Sequence, residues 1–472
     1  MCPDFSRFLA LFLSLILPFH PVLALPHTSP AQAGWATVDI TPPLGIALGG
    51  RGPMITLAKQ VLDPLQAQVL FLNDANGNGL VVISFDLAGL PHDLSDRLRQ
   101  SAVQELGVDW NLAVLNCSHT HSGPQTCRSL FAGAAPHPPV ELAYFETLTE
   151  RIVQACRNAS TSLQPVTVQV FEGASRVAIN RRNKTADGRI GMQPNADGPI
   201  DEKLWVLKLT PVKSKRPPAI LFSYACHPVI VYGYNYAGIS ADFPGVTRNV
   251  LQEALGAGAH VQFVQGVAGN VRPRVLADPE KKRFRTAKAE DCLQAGSELA
   301  RDVLTALDKQ GETLSLRLSA ASDRPLLRRD SPPSMDTYEK LAADKNPELQ
   351  SVGNYWLARY ESGEGFSKGE PWPVGLIRLS DAHWIVHMAG EPVVEWREKI
   401  AGWLAPRKVV AWGYSQESLT YLPTDELLPE GGYEVLESNR ARASSPAPFE
   451  PGLEGTVGSS LQRQLSHINA TP

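Results

Sequence analysis

Several things are scarce or missing in this 472-residue sequence, and each absence narrows what the chain can be. Beyond its leading segment it contains no stretch of about 18 consecutive apolar residues, so no later membrane-crossing helix is expected. It has no basic motif with interleaved aromatics, and its formal net charge is -4, so there is no general attraction to phosphate backbones and nucleic acid is not an expected partner. Cysteine is sparse: of six, Cys2 lies in the leading segment, leaving Cys117, Cys127, Cys156, Cys226 and Cys292. Five is odd, so pairing within the chain cannot be complete, and a chain with 43% hydrophobic residues builds a core without needing disulfides. A Cys117–Cys127 bridge is the one hypothesis the spacing raises. The 37 glycines and 38 prolines follow no period, which excludes collagen-like and solenoid repeats and leaves a turn-rich globular protein.

What is present begins with the leader. Residues 1–33 carry one basic residue, Arg7, the apolar run 8–17, and small-residue exits at Val22-Leu23-Ala24 and Ala31-Gln32-Ala33. This is the pattern of a secretory signal peptide, and it predicts a secreted or periplasmic protein. Beyond it, 66–72, 80–87, 111–116, 166–171, 204–209, 219–225, 261–264, 374–379 and 383–388 read as strands. The stretches 93–106, 142–156, 246–255, 289–307 and 393–403 have helical spacing. The alternation predicts an α/β fold in which mixed β-sheet layers are covered by helices. No linker interrupts it, so 34–472 reads as one large catalytic domain. A polar excursion over 324–371, with a helix at 335–343, is expected to pass over the site.

The residues able to do chemistry stand at strand ends. His119-Thr120-His121-Ser122-Gly123-Pro124 follows the strand 112–115, and residues two apart on an extended chain face the same way. His227, in Ala225-Cys226-His227-Pro228, repeats this placement after a second strand, with Pro228 forcing a turn. Glu391, in Ala389-Gly390-Glu391-Pro392, follows a third strand just before a helix, where a carboxylate could also serve the helix dipole. Imidazoles and a carboxylate are zinc donors, although a lone HxH pair supplies only two ligands. Asp242 is read as a helix cap, or as an acceptor orienting an imidazole, and Asp86 carries the same ambiguity.

With these motifs in order, the chain resembles the neutral/alkaline non-lysosomal ceramidases, specifically their N-terminal catalytic domain. The resemblance is carried by His119 to Pro124, Asn180-Arg181, Ala225 to Pro228, Gly269-Asn270-Val271-Arg272-Pro273, Gly390-Glu391-Pro392, and Tyr414 through Thr420-Tyr421-Leu422-Pro423-Thr424 to Gly432-Tyr433-Glu434. It extends from about Trp35 to a final helix near 457–465. It implies a Zn²⁺ held by His119, His227, Glu391 and Tyr421, with His121 as proton shuttle and Arg181 contacting the acyl oxygen of the substrate. By the same resemblance the activity is hydrolysis of an amide C–N bond in a ceramide-like lipid or other N-acyl amide. The expected partners are therefore a small-molecule or lipid amide substrate and, peripherally, a membrane surface.

The sequence also departs from that family. Where ceramidases have Gly-Asp-Val-Ser-Pro-Asn, this chain has Gly269-Asn270-Val271-Arg272-Pro273-Arg274, and a guanidinium, having donors only, cannot replace a serine hydroxyl as nucleophile or acceptor. A second reading follows, in which the chain is a binding relative with altered specificity or no turnover. The immunoglobulin-like domain of longer ceramidases has no counterpart after Gly432-Tyr433-Glu434. Arg181, Arg182, Arg272 and Arg274 fall together in motif segments, and their forks suit carboxylate or phosphate. From them comes the expectation of an anionic substrate, with Arg181 and Arg272 as binding residues.

Overall fold

A computed structural model describes residues 31–470. Most of the expected leader lies outside them, but its last two residues, Gln32 and Ala33, begin the strand Gln32–Asp39, which pairs antiparallel with Gln66–Asn73.

One large mixed sheet organises the chain. Its strands lie in the order His260–Gln265, Ala219–Tyr224, Lys203–Pro211, Gln164–Ala174, Gln32–Asp39, Gln66–Asn73, Gly79–Phe85, Ala113–Cys117. Gln32–Asp39 and Gln164–Ala174 pair only at Gln32↔Pro165 and Ala33↔Gln164, so the sheet turns a corner there. The two halves share an apolar interior of Trp35, Leu70, Val82, Val114, Trp205, Leu221 and Val264. Helices His92–Leu106 and Pro139–Thr161 cover the outer face of one half. Asp242–Leu255 and Ala289–Leu307 cover the other. Being covered on both faces, Gly79–Phe85, Ala113–Cys117, Ala219–Tyr224 and His260–Gln265 are buried at every position, which is why they read as apolar runs rather than as alternations.

The two half-sheets each end in a parallel pair, Gly79–Phe85 with Ala113–Cys117 and Ala219–Tyr224 with His260–Gln265. Those ends meet across the fold: Gln265 N donates to Asn116 Oδ1 at 2.9 Å. A second sheet, Ser319–Asp323, Val374–Arg378, His383–Met388 and Lys408–Trp412, adds Ile377, Ile385 and Trp412 to the shared interior. The terminal helix Leu453–Ala470 packs on it. The α/β layered architecture is as the sequence implies.

Several elements differ in detail. The strand expected at 111–116 is a 3₁₀ turn, Trp110–Leu112, followed by Ala113–Cys117, because Asp109 accepts from Asn111 N and winds the chain first. The excursion contains a second helix, Pro347–Ser362, beside Met335–Ala342. It is started by Asn346, whose side chain accepts from Glu348 N and Leu349 N, with proline at the first helical position. The pair makes its own small core of Tyr338, Val352 and Trp356. The Cys117–Cys127 bridge is not formed: both are buried free thiols, as are the other three described cysteines.

Candidate active site

His119 does not lie on an extended strand. The strand ends at Cys117, and His119 takes φ 67°, a left-handed conformation rare outside glycine. The convergence expected from strand alternation is instead produced by a tight loop, in which Ser118 N donates to Phe85 O at 2.8 Å and His119 N to Leu87 O at 2.9 Å. His121 still reaches the same place, its ring centroid 4.9 Å from that of His119. His227 arrives from the end of Ala219–Tyr224, with its ring 5.0 Å from that of His119. The ligand atoms of the three histidines lie within 4.8 Å of one another, a cluster able to hold a metal ion.

Glu391 and Tyr421 complete the group. Glu391 does not cap a helix, since the next helix begins only at Trp396. It lies instead in a two-residue parallel bridge, Glu391–Pro392 with Tyr421–Leu422, in which Glu391 is directly opposite Tyr421. Gly390, at φ 65°, lets the chain turn into this bridge, and a Cβ there would stand 2.6 Å from Thr420 O. The Nε2 atoms of His119 and His227 each stand 3.2 Å from Glu391 Oε2, and the Tyr421 hydroxyl is 3.5 Å from His227 Nε2.

The opposite ring nitrogens are already taken by main-chain carbonyls. His119 Nδ1 is 2.6 Å from Ala88 O, and His227 Nδ1 is 2.8 Å from Ala268 O and 3.1 Å from Val271 O. A carbonyl can only accept, so each Nδ1 carries a proton and each Nε2 is aimed at the shared point, where in the neutral ring it offers a lone pair. That tautomer is the one a metal ligand needs. Burial, with Arg181 adding to it, pushes the His227 imidazole down to about 4, so it is neutral near pH 7. Burial and the two neighbouring histidines likewise lower His121, whose Nε2 is buried without a partner. For Glu391, burial acts to raise the carboxyl, but His119 and His227 more than offset it and hold it well below the usual range.

Arg181 sits behind Tyr421, its Cζ 5.3 Å from that ring centroid and 5.6 Å from the Tyr433 centroid. Its Nε donates to Glu434 at 2.8 Å while Nη2 is buried without a partner. Arg182 donates to Glu434 at 2.9 Å and to Glu430 at 2.9 Å, while its Nε is buried without a partner. Arg274 donates to Arg176 O, and Arg272 lies 4.6 Å over the Phe284 ring with Nη1 against Met192 Sδ at 3.7 Å. The arginines gathered by sequence are thus divided, and Arg272 does not line the cavity beside the histidines. Asp242 touches no imidazole; at the start of its helix its Oδ1 accepts from Phe243 N at 2.7 Å, and its Oδ2 accepts from Ile230 N and Val231 N and fixes the turn after His227. Asp86 forms a bidentate pair with Arg248 at 2.7 Å.

A cavity of about 390 Å³ opens on the site, walled by His119, His121, Glu391, Tyr421, Tyr433 and residues of the helical excursion, Leu341, Leu349 and Val352. Three residues around the site were given no role by the sequence. Tyr414, at φ 51°, places its ring 4.6 Å from that of His119 with its hydroxyl unpartnered. Gly50 backs His121, and a Cβ there would stand 2.6 Å from the imidazole. Tyr433 packs at 5.4 Å on Tyr421, and only its place in a quoted motif could have pointed to it.

Compared by sequence, the chain matches no protein-family model and no curated protein. Compared by structure, it is similar to the neutral ceramidase from Pseudomonas aeruginosa, with a TM-score of 0.69 and 17% identity over 91% of this chain and 73% of that one. It is also similar to a ceramidase complexed with C2, with a TM-score of 0.68 and 18% identity over 91% and 74%. The chain therefore has the fold of the neutral ceramidases.

Proposed function

We propose that this protein is a Zn²⁺-dependent hydrolase of N-acyl amides, the ion being held by His119, His227, Glu391 and Tyr421. The observation that carries this reading is the convergence of two imidazole Nε2 atoms on one Glu391 oxygen, with both Nδ1 atoms fixed by carbonyls. Two neutral nitrogens, a carboxylate and a phenol suit zinc, which when bound supplies Lewis acidity and lowers the pKa of a water toward about 7.

The residues of the chain then divide the remaining work. His121 lines the cavity with a neutral, unpartnered Nε2, so it takes a proton from the attacking water and gives it to the nitrogen of the breaking C–N bond. Arg181, whose Nη2 is buried behind Tyr421 and which is not among the residues lining the cavity, supplies positive charge near the acyl oxygen as negative charge develops there. Buried Glu434 holds that guanidinium in place. The cavity, walled in part by apolar side chains from the excursion, receives a lipid-like amide at the histidines. The leader pattern of the sequence supports export.

The test is metal content per chain together with chelator-sensitive release of fatty acid from a panel of N-acyl amides. Stoichiometric zinc with turnover is the expected result, and His119→Ala should abolish both. Retained zinc and activity in that variant would refute the ligand set. Arg272, standing where ceramidases have serine, favours the second reading of a binding relative, and stoichiometric zinc with no turnover of any amide or ester would establish it.

A further inference from the structure

The cavity beside the histidines has a charged side that the proposed chemistry leaves unused. Arg440 and Arg442 line it, and neither forms an ion pair among the described residues. Elsewhere five buried arginines find carboxylates, Arg128 with Glu141, Arg181 and Arg182 with Glu434, Arg248 with Asp86, and Arg329 with Glu370, whereas buried Arg51 and Arg99 are held by main-chain carbonyls and aromatic rings and Arg378 forms no ion pair among the described residues. Glu437 is on the same wall as Arg440 and Arg442 and pairs with neither.

Arg442 is held in place rather than loose. Its main chain forms an antiparallel bridge with Phe131, its amide donates to Asn439 O at 2.9 Å, and its Cζ lies 5.2 Å over the Phe131 ring. The flanking residues are tied to the same wall, Ala132 N donating to Ala441 O at 2.8 Å and Ala443 N to Leu130 O at 3.0 Å. Its Nε is buried without a partner. A part-buried guanidinium without a counter-charge is costly to keep unless a ligand supplies one.

A second cavity, of about 230 Å³, adjoins the first and shares Pro53, Gln125 and Phe131 with it. Its walls include Met54, Ile55, Ala132 and Ala134, and its arginine, Arg128, is already bound to Glu141. One branch is therefore mainly apolar, with Glu348 on its wall, and the other carries two cations without ion pairs, exposed Arg440 and half-buried Arg442, with the histidine cluster opening on it. An arginine fork matches a carboxylate bidentately.

We propose that the substrate is an N-acyl amino acid, whose acyl chain enters the apolar branch and whose carboxylate is held by Arg442 and Arg440. This rests on the amide-hydrolase reading and assigns its substrate class. The experiment compares N-lauroylglycine with N-lauroylethanolamine, which share an acyl chain and differ in the anion. The protein is expected to prefer the acid in kcat/KM by at least about tenfold. The R440Q/R442Q variant should raise KM for the acid about tenfold and leave the ethanolamide within about twofold. Equal rates on both amides, or a variant that loses both alike, would overturn the proposal. Calorimetric binding of the two amides to chelator-treated protein separates this from the amidase reading. If neither amide is hydrolysed, the amidase reading fails, and binding decides alone. Tighter binding of the acid that disappears in R440Q/R442Q supports the anion site; equal binding of both amides overturns it.

Discussion

The side chain of Gln265 grips the main chain of Cys226 from both directions, its Nε2 donating to the Cys226 carbonyl at 2.9 Å and its Oε1 accepting from the Cys226 amide at 3.2 Å. The same Nε2 donates to Ser118 O at 2.9 Å. One buried amide thus joins the residue before His119 to the residue before His227. Gln265→Leu would leave these groups buried and unpaired, at a cost of about 3 kcal/mol. Urea unfolding should register that loss. Metal titration should show affinity weakened by roughly tenfold or more, the scale expected when the supports of ligands are removed.

Glu434 accepts from Arg181 and Arg182 at 2.8 and 2.9 Å, with all three side chains buried. Glu434→Gln strands buried Arg181, leaves Arg182 with Glu430 alone, and should destabilise the protein by about 3–5 kcal/mol. Metal content, measured at a temperature where the variant is still folded, should be unchanged, because Glu434 is not among the ion's donors.

Gly50 has φ 77°, and a Cβ added to it would stand 2.6 Å from the His121 ring. Gly50→Ala should therefore displace His121 while sparing His119, His227 and Glu391. The expected outcome is full zinc content with kcat/KM lowered by about 100-fold, the scale of a 1 Å misplacement of a reacting group. Steady-state kinetics and metal analysis on one preparation check it.

His260 is remote from the site, between Thr37 and Gln262, and burial lowers its imidazole to about 4. A histidine whose folded value is depressed contributes stability that is complete above its unfolded value of about 6.5 and is lost as pH falls toward 4. The loss is about 3 kcal/mol. His260→Gln should unfold with a shallower dependence on pH between 6.5 and 4 than the parent protein, as denaturant midpoints at several pH values would show.

The fold was legible where burial is uniform. Runs such as 80–85 and 219–224 are apolar because helices cover both faces, and they stand out in sequence for that reason. Pro347–Ser362 was hidden because only Val352, Gly353 and Trp356 are buried along its length, too few to mark a stripe among polar residues. His119, His121, His227, Glu391 and Tyr421 could be named from motifs, yet the reason given for the first two was mistaken. A left-handed residue after the strand, not strand alternation, aims them. The sequence arginines misled in a similar way: proximity of Arg181 and Arg182 in the chain says nothing of Glu434, some 250 residues away, which claims both. Arg440 and Arg442 belong to no motif, and only the shape of the cavity singles them out.

The pairing of Glu391 with Tyr421 has a further implication for how sequences of this kind can diverge. Neighbouring side chains on an extended segment point to opposite sides, so slipping either of these two-residue strands by one position against the other would turn the phenol or the carboxylate away from the histidines. The register of this bridge is therefore what divergence must preserve, whereas the helical hairpin roofing the cavity, with a small core of its own, can be exchanged or resized without disturbing the side chains beneath it.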